Sequence, residues 1–470
     1  MARPVVLLHG YGGRPEGYRA WTSSLRAAGR DTVVPLAYDV RSNDVDLFDL
    51  AEALDRTLHR DARLAGGAPF DAFVHSTGLL VLAAWLARDP ARAARVVWVI
   101  ALAPATFGSP LAHLGRGMLA GVFRGGWAPG PDFLEGGDRV LRALELGSPT
   151  AWRLADAWSA PVGGRRAAPH LLVVGGAGRR AGPTGLLHPP GSDGVVRLAG
   201  VDPRAPAYRL DARPSVGAPR LVREGGRRPV GGDLPPLLLP GADHGAVLRD
   251  PPPEVAAIAL AALAAPGPTP DLRARVAAWN GGARGRLRAA GDDAEDWRQL
   301  WVRVEDERGD GVPDVYLDPL VRRAGEGAWR RVAVAGTLDA HVHGADPSYR
   351  ALHLRLPGAN DDAAWALRVV ARSGSPRVGY VGRRVPTSVA GEGPGDRRFA
   401  GAPAAAPAVA PVGTSTGAAA GAAPWTVTCP LTPPRGAAFL PGGTTVRVRV
   451  IVERQPLPLR GPTRLLRVAG

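Results

Sequence analysis

A serine set between an apolar strand and an apolar helix constrains this chain more than any other feature. Phe70 to Val74 reads as a buried strand and Leu79 to Leu86 as a helix, with Val74-His75-Ser76-Thr77-Gly78-Leu79 turning sharply between them. Such a turn lifts the serine hydroxyl above the sheet. The helix start behind it offers backbone N–H groups to a developing oxyanion. Val74 stands two residues before the serine, where this turn usually carries glycine. An ordinary strand–turn–helix with a capping serine is the alternative reading of the same six residues.

Two further segments follow the order that a nucleophilic hydrolase needs. Pro4-Val5-Val6-Leu7-Leu8-His9-Gly10-Tyr11-Gly12-Gly13 is a short buried strand that breaks into a glycine-rich loop. Glycines there let the backbone turn its N–H groups inward. Leu237-Leu238-Leu239-Pro240-Gly241-Ala242-Asp243-His244-Gly245 ends a strand and places a histidine in a glycine-flanked loop. Between serine and histidine come the strand-like His170 to Gly176 and the turn Gly191-Ser192-Asp193-Gly194-Val195-Val196. An unaided serine hydroxyl is too weak an acid to attack a carbonyl at neutral pH. His244 would take its proton, and a carboxylate would fix the imidazole tautomer and stabilise the imidazolium. Asp193 is the favoured carboxylate; Asp202 and Asp233 are rivals, and Asp-Gly is also a common turn.

Over residues 1–265 the chain resembles the α/β-hydrolase superfamily. Within it, the likeness is to bacterial esterase/lipase-like proteins related to the GPI-inositol-deacylase group of lipases. The H-G-x-G-G loop is similar to the oxyanion loop of lipases, S-D-G-V-V to the family's acid loop, and Leu102 to Pro110 to the loop after the nucleophile helix and strand. The resemblance implies Ser76, Asp193 and His244 as catalytic triad, and the N–H groups of Tyr11 and Thr77 as oxyanion donors. It implies no metal and no organic cofactor.

The net charge of +15 with a pI near 11.1 invites a nucleic-acid or anionic-membrane reading. All 58 basic residues are arginine, scattered without an aromatic-interleaved stripe, so a nucleic-acid partner is not expected. Peripheral contact with a membrane stays open, and oligomeric state is not legible. A single cysteine, Cys429, precludes an internal disulfide. The apolar run Val5 to Leu8 is too short for a signal peptide, and Val255 to Ala265 too short for a membrane span. A cytoplasmic protein is expected, with secretion lacking a leader still open.

Six strands and five helices alternate through the first part and predict a mostly parallel sheet covered on both faces. An insertion over 106–168 is expected to form a helical cap over the site. The Pro-rich 266–280 reads as a linker. Residues 281–470 carry short, alternating apolar runs such as Val446-Arg447-Val448-Arg449-Val450, which predict an all-β sandwich-like accessory domain. Residues 388–424 read as a disordered insertion within it. Asp339-Ala340-His341-Val342-His343 matches a metal-binding pattern, and Asp310 to Asp314 faintly matches a calcium loop. Neither has the further ligands such sites need.

These features point to a serine hydrolase of carboxylic esters, acting on lipid or acyl esters through an acyl-serine intermediate, with residues 1–265 carrying the whole catalytic apparatus. The rivals are an amidase or peptidase, and a non-catalytic binding protein on the same fold.

Overall fold

The computed structural model describes residues 2–38, 42–112, 137–156, 158, 169–178, 189, 191–225, 234–323, 325–332, 338–356, 363–375, 377–381, 425–432 and 439–456. The segment 388–424, expected to be disordered, lies outside the described residues, as do the central and final parts of the 106–168 insertion.

Six parallel strands form the first sheet: β1 (Val5–Leu8), β2 (Val33–Leu36), β3 (Phe70–His75), β4 (Val96–Leu102), β5 (His170–Ala177) and β8 (Leu237–Pro240). Their order is β2-β1-β3-β4-β5-β8. Neighbouring residues on each strand point to opposite faces, so the continuous apolar runs bury both. Val5, Leu7, Phe73, Ile100, Leu172 and Val174 share one core. Val6, Leu8, Val74, Ala101 and Val173 share the other.

Helices α1 (Arg19–Ala27), α2 (Leu47–Arg60), α3 (Gly78–Arg88), α4 (Asp138–Leu144), α5 (Pro149–Asp156), α6 (Ala246–Arg249) and α7 (Pro253–Ala264) follow in chain order. The cap of α2 is Asp46: its carboxylate accepts from the N–H groups of Phe48 and Asp49, and the Asp49 side chain accepts from Asp46 N–H. The expected linker is largely helical. Thr269 caps α8 (Pro270–Ala289), its hydroxyl accepting from Leu272 N–H at 3.1 Å, with Pro270 at the first helical position. Proline fits there because that N–H has no intrahelical acceptor. Helix α8 also seals the exposed edge of the sheet. The Asn280 side chain accepts from Leu238 N–H at 3.1 Å and donates to Pro236 carbonyl at 2.8 Å, replacing the strand that β8 lacks.

The second half is two β-sheets. One runs β11 (Arg330–Arg331), β10 (Asp314–Arg322), β14 (Ala364–Arg372), β16 (Trp425–Pro430). The other runs β12 (Leu338–Val342), β13 (Tyr349–Arg355), β9 (Trp297–Asp306), β17 (Thr445–Pro456), β6 (Ala207–Asp211), β7 (Arg220–Gly225), with β15 (Val378–Val381) also on β17. Leu367, Val369 and Val427 from the first sheet pack with Leu300, Val302, Val446 and Val448 from the second, as a sandwich requires.

The second sheet crosses the division expected at residue 265. Strands β6 and β7 belong to the first 265 residues, yet β6 pairs in parallel with β17, Leu210 opposite Val450. The described part of the insertion also bridges the halves. Val140, Leu144 and Leu154 pack with the α2 and α3 side of the first core. Phe107, Leu146 and Ala151 pack on Trp301 and Ala351, with Phe107 and Trp301 rings 5.0 Å apart at 72°. A chain ending at residue 265 would leave β6 without its central neighbour and expose this apolar junction. Such a truncation is expected to aggregate or to lose cooperative unfolding, as read by size-exclusion chromatography and thermal denaturation. A soluble monomer with an unchanged melting temperature would show that the halves are energetically independent.

Candidate active site

Ser76 closes the turn between β3 and α3 with φ of 52°, a left-handed conformation that branched L-residues avoid. Hydrogen bonds on both sides impose it. Ser76 N–H donates to Leu102 carbonyl at 3.0 Å, and Ser76 carbonyl accepts from Ala105 N–H at 3.2 Å and Leu79 N–H at 3.3 Å. The turn is pressed against the loop after β1. A Cβ on Gly78 would sit 2.6 Å from Leu8 carbonyl oxygen, and one on Gly10 would sit 2.6 Å from Ser76 Cβ. Glycine is therefore required at both places, by backbone approach at the first and by the serine itself at the second. Val74, where the usual pattern has glycine, is fully buried and lies in register beside the small Ala101 and opposite Leu8.

Asp193 and His244 meet beyond the ends of β5 and β8. His244 Nδ1 lies 2.8 Å from Asp193 Oδ2, both side chains buried. His244 N–H also donates to Asp193 carbonyl at 2.9 Å, so two bonds join the loops. The other carboxylate oxygen, Oδ1, accepts from the N–H groups of Val195 at 3.0 Å and Val196 at 2.8 Å. Three partners thus hold the carboxylate in one orientation. A proton on His244 Nδ1, shared with the carboxylate, leaves the Nε2 lone pair as the base.

The acid loop itself is held from both halves of the molecule. Ser109 hydroxyl donates to Val195 carbonyl at 2.6 Å, and Thr106 hydroxyl to Val201 carbonyl at 2.7 Å. From the second sheet, Thr445 hydroxyl donates to Ala199 carbonyl at 2.6 Å, and Asp339 pairs with the buried guanidinium of Arg197. The Gly108-Ser109-Pro110 turn therefore buttresses the acid loop.

Of the two residues expected to supply oxyanion donors, Thr77 follows Ser76 in the chain and Tyr11 follows Gly10, whose backbone abuts Ser76 Cβ. The turn around Tyr11 is closed by Gly13 N–H donating to Gly10 carbonyl at 3.0 Å. Thr77 precedes the first residue of α3, and its N–H donates to no backbone carbonyl among the described residues. Its hydroxyl is buried and likewise meets no partner there. His9 fixes the loop. Tyr38 N–H donates to His9 Nε2 at 3.2 Å and His9 Nδ1 donates to Gly10 carbonyl at 2.8 Å, a neutral tautomer that burial favours by lowering the imidazole pKa.

The rival acids are elsewhere. Asp202 pairs with Arg204 at 2.7 Å, and Asp233 lies outside the described residues. The metal-like pattern is absorbed by the junction between the halves. Asp339 binds Arg197, while His341 Nε2 meets Glu145 Oε1 at 2.9 Å and His343 Nε2 lies 3.6 Å from Oε2. No cluster able to hold a metal ion occurs among the described residues. Asp310 sits in the hairpin turn after β9, where Asp306 N–H donates to its carbonyl at 2.9 Å. One residue beside the site escaped the sequence reading: His75, whose ring packs on that of His244 with centroids 4.7 Å apart. Its adjacency to Ser76 was visible, but not the loop it touches.

Neither protein-family profiles nor curated protein sequences give a match. Solved structures do. Phospholipase PlaB from Legionella pneumophila superposes with a TM-score of 0.71 at 18% identity, covering 100% of this chain and 97% of that one. The same protein in complex with thio-NAD gives a TM-score of 0.69 at 18% identity, covering 99% and 97%. This chain has the α/β-hydrolase fold. Because the likeness spans both halves, the β-rich second half belongs to the shared architecture as well.

The torsion at Ser76 separates function from stability. Ser76→Ala keeps a Cβ at positive φ, whereas Ser76→Gly removes it. The glycine variant is expected to be about 0.5–1 kcal/mol more stable than the alanine variant in urea denaturation, after the greater chain entropy of unfolded glycine is counted. Equal or reversed stabilities would mean that the turn is not under this strain.

Proposed function

We propose that the chain is a serine hydrolase of carboxylic esters, with lipid acyl esters as substrates. The observation that carries the reading is the buried 2.8 Å contact between His244 Nδ1 and Asp193 Oδ2, with His244 packed on His75, the residue before a serine in a left-handed turn. Ser76 Oγ attacks the ester carbonyl carbon while His244 Nε2 takes the hydroxyl proton. The resulting oxyanion accepts from the N–H groups of Tyr11 and Thr77, donors that need no reorganisation as charge develops. Collapse of the tetrahedral intermediate breaks the ester bond, and His244 returns the proton to the departing alkoxide. Water then repeats the sequence on the acyl-serine and releases the carboxylic acid. Asp193 holds the imidazole in its productive tautomer.

Lipid esters are preferred over amides because the architecture as a whole is that of a protein named as a phospholipase. Among the described residues no helix is long and apolar enough to cross a membrane. A panel of nitrophenyl esters of graded chain length, with a phospholipid and an aryl amide, tests the reading. Wild type should hydrolyse esters and leave the amide intact. Ser76→Ala should lose on the order of 10⁶ in kcat, and Asp193→Asn roughly 10⁴. A Ser76→Ala variant retaining more than a few per cent of wild-type kcat would refute the nucleophile. A wild type inert to every ester would favour a binding role.

A further inference from the structure

His75 touches the base loop and the loop after β1 from within the turn that carries Ser76. It is the residue before Ser76, so its backbone is part of the turn. Its Nε2 lies 3.1 Å from the carbonyl oxygen of His244. A carbonyl can only accept, so Nε2 carries the proton and donates. The two imidazole rings lie 4.7 Å apart at 48°. On the other side, Nδ1 faces the loop after β1: a Cβ on Gly10 would come within 3.1 Å of it. The side chain is buried, so these contacts are made away from competing water.

We infer that His75 is a positioning residue: its Nε2–H bond to His244 carbonyl and its ring packing fix the base loop against the turn that carries Ser76. This rests on the triad reading above. Asp193 orients the imidazole from the far side, through Nδ1. His75 restrains the backbone of the same residue from the near side, through its carbonyl. With both anchors His244 is held at its side chain and at its main chain, and His75 links that hold covalently to the nucleophile.

The role also requires His75 to remain uncharged. Burial holds its imidazole well below the ordinary pKa, and Coulombic coupling to His244, His9 and Arg249 adds to the effect against a favourable bond to His244 carbonyl. Those three groups face it from the base loop, the loop after β1 and α6. A neutral His75 does not repel the imidazolium that forms on His244 during attack. The acid limb of activity then does not arise from His75.

Two variants of the full chain test this. His75→Leu keeps bulk and removes the donor. His75→Gln places an amide N–H at a similar reach. A misplacement of about 1 Å at a catalytic group can lower rate by about 10²-fold. His75→Leu should therefore lose roughly 10–100-fold in kcat on a soluble nitrophenyl ester, with KM changed less than about threefold. His75→Gln should recover most of kcat and keep the wild-type midpoint of the acid limb of kcat/KM. Wild-type kcat in His75→Leu, equal impairment of both variants, or disappearance of the acid limb in His75→Gln would overturn the inference. If His75→Leu fails to fold, His75→Gln decides alone: kcat within a few-fold and an unmoved limb support the role, and a larger loss or a lost limb contradicts it. Ser76→Ala run alongside separates the two readings. If it hydrolyses the ester like wild type, the triad has failed and the inference falls with it. If it is inert while both His75 variants match wild type, only the positioning role fails.

Discussion

Everything at this site depends on one backbone torsion, the φ of 52° at Ser76. A left-handed residue reverses the chain within a single step, so β3 can end and α3 begin without a loop between them. That brevity sets the close contacts around it: Gly78 against Leu8 carbonyl, and Gly10 against Ser76 Cβ. The conformation is unfavourable by roughly 1–2 kcal/mol for a residue with a Cβ. It persists because Leu102, Ala105 and Leu79 hold the main chain on both sides. Strain of this kind is kept where geometry matters to function and the surroundings over-determine it.

The second constraint is the sharing of a sheet between the two halves. Strand β17 is flanked in parallel by β9 on one side and β6 on the other. Through Thr445 and Asp339 the same β-rich half grips the loop that presents Asp193. The carboxylate thus stands on a scaffold built from residues more than a hundred positions downstream in the chain. The β-rich half is thereby joined to the loop that carries Asp193 as well as to the first 265 residues through the shared sheet.

What was legible in the sequence was local. The turn at Ser76, the glycine loop after β1 and the His244 loop each declare themselves within ten residues, through short apolar runs broken by glycine. The buried strands were legible because β-branched and leucine runs of this length suit a parallel sheet. Strands β6 and β7 were not. Tyr208 and Leu210 alternate with Arg209 and Asp211 for only five residues, and β17, the strand that joins β6 to the second sheet, lies more than two hundred residues away. The proline cluster before α8 reads as a linker, although the pair Thr269-Pro270 is equally a helix start, and only the packing of Trp279 and Asn280 on β8 decides between them. His75 and the Glu145–His341 contact depend on which loops meet in space, and no periodicity encodes that.

The nucleophile can be tested apart from turnover. Incubation of the full chain with a fluorophosphonate, followed by intact-mass analysis and peptide mapping, reads which hydroxyl is activated. Phosphonylation needs the serine, its base and the oxyanion donors, but no particular lipid. The triad reading requires a single adduct per chain, located on Ser76, formed quickly in wild type, slowly in Asp193→Asn and not at all in Ser76→Ala. An unmodified wild type, or an adduct mapping to Ser109 or Ser192 instead, would contradict it.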